Sequence, residues 1–127
     1  MGKRNNFNQL NTVEILDKFM QVSEAEWTNS EKKIARSAFD NAYEREIEAL
    51  LKQVQEQAST VVDLDNLWQL HDFLSAKRYE VEGKYDFQYS VLLFVFAGLI
   101  KDGWLHLDEL EGLDKDKLSK VIVLSRM

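Results

Sequence analysis

The stretch from Lys3 to Glu82 contains neither glycine nor proline, and the whole chain has no proline and only five glycines. These two residue types interrupt helices and form tight turns more readily than the others. A β-rich fold needs frequent turns, so a stretch of this kind is difficult to fold into a sheet. The sequence therefore predicts an all-α protein whose first two-thirds consist of long helices.

The first long helix is predicted to run from about Thr28 to about Ser59. Thr28 and Glu31 have the spacing of a capping box, and apolar residues then recur every three or four positions for about eight turns. At about 1.5 Å per residue the helix is about 45 Å long, whereas a compact globule of 127 residues is only about 35 Å across. We therefore expect a second copy of the chain to cover its apolar stripe.

A second helix is predicted from about Leu64 to about Glu82, with Asp63 or Asp65 as its N-cap and Gly83 as its C-terminal cap. Apolar residues that fall within about 60° of one another form its core stripe. This stripe consists of Leu67, Leu70, Leu74 and Val81. A second face, about 120° wide, borders the stripe. It consists of Trp68, His71, Asp72, Ser75 and Arg78.

The face that contains Trp68 and Arg78 has two interpretations. Tryptophan and arginine beside an apolar stripe are the residue types that dominate protein interfaces, which favours a partner-binding face. In the alternative, Trp68 lies in the core, Arg78 pairs with an acidic residue of its own dimer, and His71 fills a rim position. The spacing of the residues does not decide between the two.

The remaining residues are predicted to form a small helical head. The run from Val91 to Ile100 is apolar on every side, so we expect it at the centre of the head, with Phe94 in the core. Asp86 or Ser90 is the expected N-cap of this helix, and Gly103 its left-handed C-terminal cap. A short turn then stops at Gly112, and Asp114 caps a last helix. The predicted organisation is an N-terminal extension (1–26), dimerising helices (27–83) and the head (84–127). We expect the extension to be partly mobile, with a short helix that either frays or docks.

Composition excludes several classes of function. The chain has no cysteine, which rules out a disulfide framework, a thiolate nucleophile and thiol redox sensing. Its net charge of −6 repels phosphate backbones, so we expect no nucleic-acid partner. The longest apolar run, Val91 to Ile100, is about half as long as a membrane span, so we expect no membrane insertion.

The two histidines form no recognisable catalytic or metal-binding pattern. Neither His71 nor His106 has a partner of the His-Glu-x-x-His type, and no phosphate-binding glycine loop or nucleophile elbow occurs. His71 and Asp72 are sequence neighbours, so on a helix their side chains diverge by about 100° and are not expected to orient one another. The sequence therefore predicts neither an enzyme nor a cofactor or metal site.

Residues 65–105, DNLWQLHDFLSAKRYEVEGKYDFQYSVLLFVFAGLIKDGWL, resemble the fluorescence recovery proteins of cyanobacteria, and the similarity extends from about Trp27 to Met127. The segment W-x-x-H-D-x-x-x-x-K-R, followed by E-G-K-Y-D and the LLFVFA run, carries the resemblance. It implies an all-helical dimer in which long antiparallel helices form a stalk below a helical head. It also implies a regulator, not an enzyme. Family members bind the light-activated red form of the orange carotenoid protein, mainly through its C-terminal domain. They hasten its return to the orange form, which ends non-photochemical quenching at the phycobilisome.

The resemblance also implies roles for individual residues. The implied partner-binding residues are Trp68, His71, Asp72 and Arg78 on the second helix and Phe94 and Lys120 in the head. This role for Phe94 conflicts with the core position expected from its surroundings. The expected dimer interface comprises Leu50, Leu51, Leu67 and Leu74. We expect a cytoplasmic protein that reaches the cytoplasmic side of thylakoid membranes only through phycobilisome partners. A structural helical dimer or assembly adaptor without a carotenoid-protein role is the alternative.

Overall fold

The computed structural model of the chain describes residues 22–127, which form four α-helices and two short 3-10 helices and contain no strand. The α-helices are α1 (Asn29–Ser59), α2 (Leu64–Lys84), α3 (Leu92–Lys101) and α4 (Lys115–Ser125). The 3-10 helices are Glu24–Glu26 and Leu107–Leu110. The predicted all-α class is confirmed. The short helix expected in the N-terminal extension lies outside the described residues.

Helix α1 begins and ends where the sequence predicts. The side-chain oxygen of Thr28 accepts a hydrogen bond from the Glu31 amide at 3.1 Å, and the Glu31 carboxylate accepts one from the Thr28 amide at 3.0 Å. This capping box satisfies two of the amides that a helix N-terminus leaves without partners. With 31 residues at about 1.5 Å per residue, α1 is about 46 Å long.

Helix α2 begins as predicted but does not end at Gly83. The Asp63 side chain caps the helix by accepting from the Asn66 amide at 2.8 Å. At the other end the helix passes through Gly83, which lacks a positive φ, to Lys84. The prediction of a glycine cap is therefore wrong. The backbone leaves the helical conformation at the next residue, Tyr85, whose hydroxyl hydrogen-bonds to α1.

The core lies where α3, α4 and the intervening loop pack against the first half of α1. Helix α3 is at its centre, as predicted. The buried core side chains of these four elements are Ala35, Ala38, Phe39 and Ala42 on α1, Leu92, Leu93, Phe96, Ala97 and Leu99 on α3, Leu105, Leu110 and Leu113 in the loop, and Val121 on α4. Five of the ten residues of α3 are buried here, which accounts for much of its apolar character, whereas Phe94 is half-buried and Gly98 exposed on its remaining side.

The caps of the two head helices differ in how well the sequence predicts them. Gly103 has a φ of 86° just after α3, and Asp114 caps α4 by accepting from the Lys117 amide at 2.8 Å; both predictions are confirmed. Neither Asp86 nor Ser90 caps α3, because Val91 stands at the N-cap without a side-chain hydrogen bond. The residues before α3 are held elsewhere, since their aromatic rings pack against the core.

A buried lysine joins α1 to α4. The Lys117 ammonium lies 3.2 Å from both Glu31 carboxylate oxygens and 2.9 Å from Asp114, and it donates to the Glu26 carbonyl at 2.8 Å. Only 4% of the Lys117 side chain and 6% of the Glu31 side chain are exposed. Burial alone would raise the pKa of Glu31, but hydrogen bonds from the Thr28 and Asp114 amides and the ammonium outweigh it and lower that pKa. The Glu31 carboxylate is therefore charged, and both it and the Lys117 ammonium have hydrogen-bond partners.

A second ion pair joins α1 to the loop of the head. The Arg45 guanidinium donates to both Glu109 carboxylate oxygens at 2.7 Å and to the Trp104 carbonyl at 3.1 Å. The hydrogen bonds from Arg45 are the main reason that the pKa of Glu109 lies below its usual value. Bidentate pairs of this kind fix orientation as well as distance, so the loop is held against α1 in one position.

No helix within residues 22–127 has both the length and the apolar character needed to cross a membrane.

Replacing Lys117 by methionine should lower the free energy of unfolding by about 3–5 kcal/mol, because Glu31 would remain buried without its cation. Urea unfolding followed by circular dichroism measures the change. The matched control is Lys115→Met, an exposed lysine at the start of α4, which should have little effect. Equal stability of the two variants would contradict the structural role given to Lys117.

Candidate protein-interaction surface

Helix α2 is almost unburied in the single chain. Val81 is its only buried residue, although the helix has 21 residues. Of the predicted core stripe, Leu67 is 45% exposed and Leu74 39% exposed, and Leu70 is half-buried. The prediction that these leucines are core residues is therefore wrong for one chain taken alone. The reason is that α1 and α2 leave open grooves between them.

Two of these grooves are large. The first, of about 360 Å³, lies near the head and is lined by Tyr43, Ile47 and Leu50 of α1 and Leu74, Lys77, Arg78, Val81 and Glu82 of α2. The second, of about 270 Å³, lies at the turn between the helices and is lined by Gln57, Thr60, Val61, Asn66, Gln69, Leu70 and Phe73. The apolar stripe of α2 thus faces these grooves and solvent.

The exposed apolar side chains are concentrated on these two helices and their turn. They are Tyr43, Leu51, Val62, Leu64, Leu67, Trp68, Leu74 and Tyr79. Leu50 is half-buried and Leu51 is 57% exposed. Exposed apolar side chains that lie together commonly mark interaction sites. The four leucines expected at a dimer interface therefore all have accessible apolar surface.

The residues beside this stripe are accessible to a partner. Trp68 is 54% exposed, and its ring meets that of His71 edge-on with centroids 6.1 Å apart. His71 Nδ1 lies 3.4 Å from Asp72 Oδ1, so these two sequence neighbours approach one another more closely than the expected divergence suggests, but both side chains are largely exposed. Arg78 Nε donates to Glu82 Oε1 at 3.0 Å, one turn along α2. We call Trp68, His71, Asp72 and Arg78 the Trp68 face.

The charged pair of the Trp68 face is exposed and available for other contacts. The Arg78–Glu82 pair is exposed at both ends, with 81% and 67% of the side chains accessible, so the pair contributes little to stability. Such an arginine can exchange its own glutamate for a carboxylate of a partner. No group of three or more His, Asp or Glu side chains in the described range could hold a metal ion.

The two head residues implied in partner contact lie in different surroundings. Phe94 is half-buried and lines a cleft instead of filling the core, so the core position expected from its neighbours is wrong. It lies on the side of α3 that also carries Val95 and Gly98 and lines the cleft, whereas Leu92, Leu93 and Phe96 on the other side are buried. The Lys120 ammonium lies 3.2 Å from the Asp116 carboxylate, one turn earlier on α4, and 12% of its side chain is exposed.

A polar cluster that the sequence analysis missed fixes α2 to the head. Glu46 of α1 is buried, and its carboxylate accepts from the Tyr85 hydroxyl and lies beside the Lys84 ammonium, both at 2.7 Å. Lys84 also reaches Asp102 at the end of α3, 3.5 Å away. Burial, followed by the Glu46 carboxylate, raises the pKa of Tyr85 well above its usual value. We call these four residues the junction cluster. Glu46 stands one turn after the buried Ala42, and an acid on an apolar face is the signal that could have revealed it.

Comparison with known proteins identifies relatives over nearly the whole described range. Residues 27–125 match the family model described as photoprotection regulator fluorescence recovery protein. The chain is 49% identical over 108 residues to the fluorescence recovery protein of Synechocystis sp. PCC 6803, covering 85% of this chain and 99% of that protein. The solved fluorescence recovery protein of Fremyella diplosiphon is 59% identical, with a TM-score of 0.78 over 80% of this chain and 99% of that one. The solved Synechocystis protein is 50% identical, with a TM-score of 0.77 and the same coverage.

Replacing Tyr85 by phenylalanine should lower the free energy of unfolding by about 1–2 kcal/mol, because the buried Glu46 carboxylate loses a donor. The matched control is Tyr79→Phe, since Tyr79 is 84% exposed on α2 and should tolerate the change. Thermal or urea unfolding of the two variants measures the difference. A Tyr85→Phe variant as stable as the control would show that the junction cluster does not anchor α2.

Proposed function

Since the chain belongs to the fluorescence recovery protein family, a family of photoprotection regulators, we propose that it binds the light-activated red form of the orange carotenoid protein. Binding, mainly to the C-terminal domain of that protein, accelerates its return to the orange form and so ends non-photochemical quenching at the phycobilisome. The match spans residues 27–125 and therefore includes both helices of the stalk and the head.

The working form that we propose is a homodimer with an antiparallel stalk. The supporting observation is that α2 buries only Val81 within one chain while Leu67 and Leu74 remain exposed. Exposed apolar surface costs roughly 25 cal/mol per Å², so a second copy that covers it is stabilised. Leu50 and Leu51 of α1 extend the same apolar surface. We assign Leu50, Leu51, Leu67 and Leu74 to this interface.

The partner contacts that we propose lie on two surfaces of each chain. The proposal depends most on one observation about the Trp68 face. An exposed tryptophan and an exposed arginine border the apolar stripe there, and neither contributes to the core. Residues of these two types are the commonest energetic centres of protein interfaces. Phe94 and Lys120 of the head form the second contact.

The mechanism that we propose is a shift of population without covalent chemistry. The dimer binds the open carotenoid protein and binds the transition state for reassociation of its domains more tightly still. Each 1.36 kcal/mol of that difference gives about a tenfold increase in rate. We propose that this takes place in the cytoplasm, at the cytoplasmic side of thylakoid membranes through phycobilisome partners. A net charge of −6 does not favour direct attachment to anionic lipid.

Replacing Leu74 by glutamate should convert the dimer to a monomer, because the charge would be buried against the second copy. Light scattering at micromolar concentration measures the mass. Ala76→Glu is the matched control, since Ala76 is exposed on the opposite side of α2 and should leave the dimer intact. A wild-type chain that is already monomeric at this concentration would contradict the proposed assembly.

Replacing Arg78 by leucine or Trp68 by alanine should slow recovery of the orange absorbance after a light pulse by about tenfold or more, as expected for a contact worth about 2 kcal/mol. Circular dichroism should show an unchanged helical content. Arg126→Leu, an exposed arginine after α4, is the matched control and should recover at the wild-type rate. If the wild-type protein does not accelerate recovery at all, the result favours the alternative function, a structural dimer without a carotenoid-protein role.

A further inference from the structure

Two of the four glycines in the described range are unexplained by the fold. Gly103 and Gly112 have φ values of 86° and 106°, a conformation that favours glycine. Gly83 and Gly98 stand inside α2 and α3, where glycine is among the least favoured residues. A Cβ atom added at either position would meet nothing within 4 Å. Neither backbone conformation nor close packing therefore requires glycine there.

These two glycines share one cleft. The cleft has a volume of about 370 Å³ and lies between the end of α2 and one side of α3, with Gly83 on the first wall and Gly98 on the second. Its apolar lining consists of Val91, Phe94, Val95 and Leu99, and its charged lining of Lys84, Asp86 and Asp102. The volume is within the range of about 300–1,000 Å³ of small-ligand sites. A larger side chain at either glycine would occupy this space, so the glycines keep the cleft open.

The charge on the walls of the cleft is unbalanced. The Lys84 ammonium is already held by Glu46 at 2.7 Å and Asp102 at 3.5 Å. The Asp86 carboxylate makes no hydrogen bond or ion pair with any other residue of the range 22–127. The walls and the junction cluster behind them thus hold three carboxylates against one ammonium. A basic group complements this distribution, and an acidic group is repelled.

We infer that this cleft receives one apolar side chain of the carotenoid-protein partner, presented next to a lysine or arginine that pairs with Asp86. The inference rests on the proposed function, since it assigns the cleft to the same partner. Phe94 supplies an aromatic wall for the apolar side chain, and the side chains absent at Gly83 and Gly98 provide the room. This gives Phe94 its contact without requiring it to protrude from the head.

The decisive variant is Gly98→Leu, which fills the cleft. Its melting temperature should equal or exceed that of the wild type, because leucine is favoured over glycine in a helix and the added Cβ meets no neighbour. Its affinity for photoactivated orange carotenoid protein, and its acceleration of the red-to-orange decay, should both fall about tenfold. Gly98→Ala is the matched control, which adds only a Cβ atom and should retain both. In Gly83→Leu the added side chain fills the cleft from the opposite wall, so this variant should behave like Gly98→Leu.

A second measurement tests the charge. Asp86→Asn keeps the shape of the side chain and should weaken binding several-fold at low salt, and its affinity should vary less with ionic strength than that of the wild type. An affinity and a salt dependence equal to those of the wild type would overturn the role of Asp86.

The outcomes distinguish a failure of the inference about the cleft from a failure of the proposed function. If the wild type accelerates recovery and both leucine variants do so equally, the inference about the cleft fails while the proposed function stands. If the wild type does not accelerate recovery, both the proposed function and the inference that rests on it fail. If the leucine variants lose the dimer mass by light scattering, the occupant is a second copy of the chain, which also overturns the inference.

Discussion

The core packs the head against only the first half of α1, and the remainder of the molecule follows from that constraint. The Lys117 ammonium, enclosed by Glu31, Asp114 and the Glu26 carbonyl, holds α1 and α4 together at one end of this core. Beyond Ala42 and Glu46, α1 extends with no further buried residue, and α2 runs beside it with only Val81 buried. One chain thus has a stable head and a pair of helices whose apolar residues are largely uncovered.

The sequence predicts most of this arrangement because its signals are local. The capping box at Thr28, the Asp63 and Asp114 caps and the positive φ of Gly103 each depend on residues only a few positions apart. The lengths of α1 and α2 follow from periodicity. The prediction of the Trp68 face was equally local, since four side chains on one helix need only the helical repeat to be brought together.

The sequence does not predict the features that depend on contacts between distant segments. Glu46 and Tyr85 are 39 positions apart, and the helical repeat does not predict that they are in contact. Helix α2 also runs past Gly83 to Lys84, and Phe94 lines a cleft instead of filling the core; neither feature follows from a local pattern. The predicted core stripe failed for a related reason: periodicity identifies an apolar face but not the chain that covers it.

The junction cluster relates the two proposed contact surfaces to one another. Lys84 pairs with Glu46 of α1 and with Asp102 just after α3, so the end of α2 is fixed to both α1 and the head. The Trp68 face lies along that helix, and the cleft opens where the helix ends. A partner that touches both surfaces therefore meets them at a fixed separation. Under the proposed function, a fixed separation of this kind would favour the one relative placement of the two partner domains that fits it, and this is how the scaffold would lower the barrier to their reassociation.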